Sequence, residues 1–199
     1  MRALLIDYGS GNLRSAAKAL EAAGFRVRVS ADPREAARAE LLVLPGQGHF
    51  GQVMGAFRAS GFEEAVRAHL EAGRPFLGIC VGLQLLYEGS EEAPGHPGLG
   101  VIPGTVRRFA ARKVPHMGWN PVRFDPDSAF ASLEGRHFYF VHSYYGPVVD
   151  GTVGTSEYAG TPFTAVYARG LVVAPQFHPE KSGRAGLVFL EALRAYFAA

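Results

Sequence analysis

Phe76-Leu-Gly-Ile-Cys-Val-Gly-Leu-Gln-Leu-Leu86 runs from an apolar stretch ending at Ile79 into a helical pattern that begins near Val81, with Cys80 at the join. Glycines at 78 and 82 stand two residues to either side of the cysteine. This spacing predicts a tight strand-to-helix elbow, in which a strained turn lifts the nucleophile off the sheet and the flanking glycines relieve crowding. Such an elbow belongs to a βα unit, and the chain before it repeats that unit. Leu41–Leu44 is a wholly apolar strand ended by Pro45-Gly-Gln-Gly48, Phe62–Ala72 reads as a helix stopped by Gly73, and Pro75–Ile79 is the next strand. Upstream, Met1–Asp7 is a strand, and Leu13, Ala17, Leu20 and Ala23 recur at helical spacing before Gly24. Phe25–Ser30 alternates apolar residues with Arg, and Asp32-Pro33 caps a short helix to about Glu40. Strands separated by helices imply a parallel sheet covered on both faces.

Beyond the elbow the pattern changes. Gly89–Asp127 is rich in Gly and Pro, with β-like pieces at Val101–Phe109 and Pro121–Phe124. Phe138–Val141, Thr152–Glu157, Thr164–Tyr167 and Leu171–Gln176 read as further strands, several of them antiparallel. A final amphipathic helix turns Leu187, Leu190, Leu193 and Phe197 inward. With no repeat or linker, the whole of 1–199 is expected to form a single three-layer α/β domain. It has a mostly parallel central sheet, helices on both faces, and antiparallel strands in the C-terminal half.

Composition narrows the function classes. The 199 residues are 48% hydrophobic with a formal net charge of +2, which excludes disorder and polyelectrolyte behaviour. The 17 Arg and 3 Lys are scattered among acids, so nucleic acid is not an expected partner. One cysteine excludes an intrachain disulfide framework and a Cys-rich zinc site; no metal or other cofactor is expected. Asp7 ends the first apolar run far short of a signal sequence or membrane span, so a cytoplasmic protein is expected.

A lone cysteine is more often a buried structural residue, but the double-glycine elbow turns the reading toward a nucleophile. Of the seven histidines, His69 falls on a surface helix and His96 in a Gly/Pro loop, both expected to be solvated. His178 stands in Gln176-Phe-His-Pro-Glu180, just past an apolar strand. Residue i+2 of an extended segment shares a face with residue i, and Pro179 keeps His178 extended, so Glu180 lies beside the imidazole. Cys80, His178 and Glu180 therefore form a candidate nucleophile–base–carboxylate triad. Oxyanion donors are expected from the N–H of Val81 and from the Pro45–Gly48 loop. Gly9-Ser-Gly-Asn-Leu-Arg14 has a passing likeness to a dinucleotide loop, but Arg14 stands where the third glycine belongs and no fitting acid follows. In Phe138–Tyr145 the polar end His142-Ser143-Tyr144 is a candidate pocket lining.

Together, Gly78-Ile-Cys-Val-Gly-Leu-Gln84, Pro45-Gly-Gln-Gly48 and His178-Pro-Glu180 resemble the class I (triad) glutamine amidotransferases, in order and spacing across most of the chain. Within that family, Ile6-Asp-Tyr-Gly-Ser-Gly-Asn-Leu13, Pro115-His-Met-Gly-Trp-Asn120 and Tyr139-Phe-Val-His-Ser-Tyr144 resemble the glutaminase subunits of imidazole glycerol phosphate synthases, which serve histidine biosynthesis. The resemblance implies that Cys80 attacks the side-chain amide of glutamine and that His178 protonates the departing ammonia. Water then hydrolyses the thioester with His178 as base. It implies further that Gly46, Gln84 and the Ser143–Tyr144 backbone hold glutamine, with Gly48 and Val81 serving the oxyanion. Gln47 departs from the small apolar residue more usual at its place in the flipping oxyanion strand.

The resemblance also implies a partner. It would be a (β/α)8-barrel cyclase in a heterodimer, receiving ammonia across the interface and forming imidazole glycerol phosphate and aminoimidazole carboxamide ribonucleotide. Asn12, Trp119, Tyr139 and Lys181 match interface positions. For Trp119 the alternative is a rim aromatic packed on its own domain. Competing readings are the glutaminase of another two-chain synthase such as the pyridoxal phosphate system, a stand-alone thiol hydrolase, and a catalytically silent scaffold.

Overall fold

The computed structural model describes residues 1–9 and 11–199; Ser10, within the Ile6–Leu13 and Gly9–Arg14 segments singled out above, lies outside the described residues. In the first half, strand β1 (Arg2–Ile6) leads to helix α1 (Leu13–Ala22) and β2 (Arg26–Ser30). A 3-10 helix over Pro33–Arg38, capped by Asp32, precedes β3 (Leu41–Leu44). Helices α2 (Phe50–Ala59) and α3 (Phe62–Glu71) then return to β4 (Phe76–Gly78), followed by the one-turn helix α4 (Val81–Gln84). Helix α2 was not expected. His49 caps it by accepting from the Gly51 N–H, and Phe50, Val53, Met54 and Phe57 fill its inner face. The helix after the elbow is shorter than its pattern implied, because Leu85 and Leu86 bond their carbonyls to Leu99 and Val101 instead of to a further helical turn.

The second half supplies β5 (Tyr87–Ser90), β6 (Ile102–Arg108), β7 (His116–Pro121), β8 (Arg123–Phe124), β9 (His137–His142), β10 (Tyr144–Tyr145), β11 (Thr152–Tyr158), β12 (Thr161–Arg169), β13 (Val172–Pro175) and helix α5 (Gly183–Tyr196). The main sheet has the order β2-β1-β3-β4-β13-β12-β11-β8. Its first five strands are parallel and the last three pair antiparallel. Two small sheets, β10-β6-β5 and the antiparallel pair β7-β9, flank it.

Burial explains the parallel part. Leu41, Leu42, Val43 and Leu44 are all fully buried, as a strand covered on both faces must be. Each leucine so buried contributes about 1.5–3 kcal/mol. Helices α1 and α5 pack together as one layer, α2 and α3 as another. On α5 the inward residues are Gly186, Phe189, Leu190 and Leu193. Leu187 is only partly buried, because the helix is rotated so that Phe189 stacks on Phe130 and meets Phe138 and Phe177 edge-on. Gly186 sets that approach, since a Cβ there would come within 1.9 Å of the Pro179 carbonyl oxygen.

Candidate active site

The carboxyl ends of β1, β3, β4 and β13 converge on one edge of the sheet, where ligands bind in open α/β folds. Backbone bonds lock the elbow between its neighbours: the Ile79 N–H donates to the Leu44 carbonyl and the Cys80 N–H to that of Pro175, both at 2.9 Å. Cys80 has φ 54° and ψ −105°, the strained geometry expected of an elbow. Both flanking glycines are sterically required. A Cβ on Gly82 would sit 2.2 Å from the Leu44 carbonyl oxygen, and one on Gly78 would sit 2.8 Å from that of Gly82.

Beyond β13 the chain bends through Gln176 and Phe177 to His178, which is itself extended, and a 3-10 turn over Pro179–Lys181 replaces the extended run expected. His178 Nδ1 lies 2.7 Å from Glu180 Oε1. Both side chains are almost completely buried, and Glu180 Oε2 has no hydrogen-bond partner among the described residues. Burial works against the charged imidazole, but the negative charge of Cys80 and hydrogen bonds to Cys80 and Glu180 outweigh it, raising the His178 pKa to about 10. At neutral pH the imidazole holds its proton. The backbone beside it is braced: the His178 N–H donates to the Tyr139 carbonyl, and Ser182 Oγ donates to the His178 carbonyl while accepting the Tyr139 N–H.

A cavity of about 300 Å³ opens over these groups, lined by Gln47, Gly48, Cys80, Val81, Gln84, Glu92, Val141, His142, Ser143, Tyr144, His178 and Lys181. The structure thus brings Cys80, His178, Gly48, Val81, Gln84, Ser143 and Tyr144 to one chamber. Gly46 lies apart from it: buried beneath the elbow, it has no room for a Cβ, which would fall 2.7 Å from Val81 Cβ. Gly48 has φ +110°, a conformation open to glycine and strained for other residues. Tyr8 Oη donates to the Pro45 carbonyl at 2.7 Å and holds the start of this loop. Glu92 accepts the Phe50 N–H at 2.8 Å, fixing the loop's other end at the start of α2.

Gln84 Nε2 donates to the Tyr144 carbonyl at 2.9 Å and to Gln176 Oε1 at 3.1 Å. Gln176 Nε2 in turn lies 3.6 Å from Cys80 Sγ. Gln176 was missed as a site residue; its signal was the same alternation that put it on the His178 face.

Asn12 is exposed and caps α1 by accepting the Ser15 N–H. It also lines a small cleft against Gly46, His178 and Glu180. Lys181 is exposed at the mouth of the main cavity. Trp119 and Tyr139 face each other across β7 and β9, ring centroids 6.1 Å apart. Trp119 is 57% exposed, so packing on its own domain does not bury it, and Met117, two residues before it on the same face, is 61% exposed. Met117 too was missed; its signal was alternation with Trp119.

One histidine departs from expectation. His69 is buried rather than solvated: α3 turns it against the β4 approach, where Nε2 meets the Pro75 carbonyl at 2.8 Å. His116 is buried on β7, bonded to His142.

The glutamine amidotransferase class-I family model matches residues 4–193. The imidazole glycerol phosphate synthase subunit HisH of Thermus thermophilus is 68% identical over 99% of this chain and 98% of that protein. Its counterpart in Deinococcus radiodurans is 54% identical over 96% and 92%. The imidazole glycerol phosphate synthase hisHF of Emericella nidulans is 41% identical over 94% of this chain but only 37% of its own length. A solved structure of PurLQS from Thermotoga maritima shares the fold, with TM-score 0.79 at 21% identity, covering 98% of each chain. Among the described residues no helix is long and apolar enough to cross a membrane.

Proposed function

The chain belongs to the class-I glutamine amidotransferases, and from that premise we propose that it is the glutaminase subunit of an imidazole glycerol phosphate synthase, with Cys80, His178 and Glu180 as its catalytic triad. The observation that carries the reading is the strained elbow holding Cys80 over a buried, Glu180-paired His178, at the mouth of a cavity of amino-acid size.

The chemistry follows from the geometry. The Cys80 sulfur attacks the side-chain carbonyl carbon of glutamine, and the N–H groups of Gly48 and Val81 receive the charge that develops on the amide oxygen. The C–N bond breaks as His178, holding its proton, delivers it to the leaving nitrogen, and ammonia departs from a thioester. Water then attacks that thioester with His178 as base, releasing glutamate and restoring the thiol. Glu180 keeps the imidazole oriented through both steps. Gln84 and the Ser143–Tyr144 backbone hold the amino-acid end, and Gly46 acts beneath the elbow by letting the oxyanion loop approach it.

Ammonia protonates in neutral water, so it is passed directly to a partner subunit. The relatives' names as subunits, and the longer hisHF chain, support a second component. We assign that component as a (β/α)8-barrel cyclase docking on Trp119, Tyr139, Asn12 and Lys181, in the cytoplasm. The hydrogen bonds joining Tyr139 to His178 and Ser182 would carry docking strain to the triad.

The test is glutamate release from glutamine with and without the cyclase and its nucleotide ligand. Large stimulation by the partner that vanishes in Cys80→Ala is expected. Full activity without partner would make the chain an independent hydrolase, and inactivity in both conditions would remove the catalytic role.

A further inference from the structure

Behind the cavity wall a chain of hydrogen bonds runs in one direction. Asn120 Nδ2 contacts His116 Nε2 at 3.3 Å and donates to the Glu157 carbonyl at 2.8 Å. His116 Nδ1 lies 2.9 Å from His142 Nε2, and His142 Nδ1 lies 2.8 Å from the Tyr144 carbonyl oxygen. A carbonyl only accepts, so His142 Nδ1 carries the hydrogen; its neutral ring then leaves Nε2 as an acceptor. His116 must supply that hydrogen from Nδ1, and its own Nε2 accepts from Asn120. The Tyr144 carbonyl is the same oxygen that receives Gln84 Nε2.

We propose that His116 and His142 are positioning residues for the glutamine clamp: as a fixed pair of Nδ1–H tautomers they pin the Tyr144 carbonyl, and with it Gln84, from behind. This rests on the glutaminase reading of the cavity. Neither ring is free to take another role. Phe140 and Tyr158 stack on His116 at 5.1 and 4.3 Å, and Phe109 and Phe163 close edge-on against both histidines. Burial holds the pKa values down, at about 4 for His116 and about 3 for His142, so both rings are neutral at pH 7 and the direction of the chain is set. Without the hydrogen from His116, His142 Nε2 is left a buried acceptor without its donor, and the ring loses the contact that holds its Nδ1–H on the Tyr144 oxygen.

The test uses 6-diazo-5-oxo-L-norleucine, a glutamine-shaped electrophile, with iodoacetamide as a small electrophile that needs no clamp. Cys80 labelling by the full chain is followed by mass spectrometry as a function of reagent concentration. His116→Phe keeps the ring stack and removes the donor; His116→Asn returns an amide donor near the Nδ1 position. The expected result is about a tenfold rise in the half-saturating concentration of the norleucine reagent for His116→Phe, as for loss of one well-made hydrogen bond. The maximal rate and iodoacetamide labelling should stay within about threefold, and His116→Asn should recover most of the saturation. Unchanged saturation in His116→Phe, or no rescue by Asn, overturns the proposal. Nitrogen-15 spectra of the wild-type chain decide it even where the Phe variant fails to fold: His142 protonated at Nε2 overturns it. Failure of the norleucine reagent to label wild-type Cys80 even with the cyclase partner and its nucleotide ligand present, while iodoacetamide does, would instead sink the glutaminase reading itself.

Discussion

Acidification to pH 5 should cost this protein stability through His116 and His142, and the cost can be worked out. Each ring is almost fully buried, with pKa about 4 and about 3 in the fold against an ordinary 6.5. The groups facing them are His178, which acts on His142, and the uncharged Asn120 and Tyr158. A histidine whose folded pKa is depressed binds its proton first in the unfolded chain. The native state therefore loses stability as pH falls through 6.5 and continues losing it down to the folded value. At pH 5 the unfolded ring is almost wholly protonated and the folded one almost wholly neutral, a ratio of about 30, or about 2 kcal/mol per histidine relative to pH 7. The pair together therefore loses about 4 kcal/mol, because pH 5 lies above both folded values. His178 works the other way. Its folded pKa is raised, so its stabilisation is full below 6.5 and is lost only as pH climbs through about 10; it returns about 1 kcal/mol over the same interval. His116→Phe isolates one member. Urea unfolding at pH 7 and pH 5 should show the variant losing about 2 kcal/mol less than the wild-type chain between the two conditions, whatever its stability at pH 7. Equal losses would mean that His116 is protonated in the native state and would refute the reasoning.

Other perturbations probe the elbow, the triad and the docking face. Gly82→Ala drives a methyl into the Leu44 carbonyl and should cost about 3 kcal/mol or more with loss of Cys80 labelling, whereas Gly55→Ala, in open space on α2, should stabilise by about 0.5–1 kcal/mol in the same unfolding assay. Cys80→Ala removes the leading influences that raise His178, so an NMR titration should find its pKa well below that of the wild-type ring. Glu180→Gln keeps an acceptor but removes its charge; His178 should titrate lower and partner-stimulated hydrolysis should fall by about 10²-fold or more, read from the pH–rate profile. Trp119→Ala should weaken partner binding by about tenfold or more in calorimetry while leaving iodoacetamide labelling of Cys80 unchanged.

Local patterns were enough for the parts whose physics is local. Gly78, Cys80 and Gly82 announced the elbow because the need for small neighbours lies within two residues of the nucleophile. His178-Pro-Glu180 announced its pairing by close spacing, but the extended run expected there is instead a 3-10 turn over Pro179–Lys181, and it is this turn that brings Glu180 back to the ring. Likewise, the apolar runs of β1, β3 and β4 fixed a parallel sheet with its site at the carboxyl edge, since only burial on both faces suits them. Helix α2 escaped notice because its glycines and central Gln and Arg blur the helical stripe, and packing rather than propensity forms it.

What the tertiary structure alone decided lies where partners are far apart in sequence. His116 meets His142 across 26 positions and Gln84 meets Gln176 across 92, distances over which no period in the chain carries information. Gly46 could be placed beneath the elbow only once β3 and β4 were in register. His69 looked solvated on its helix until the fold turned that face inward. The triad's covalent neighbourhoods were therefore written in the sequence, while the polar scaffold that orients the clamp arises from strand pairing, which places donors opposite acceptors that the chain order keeps apart.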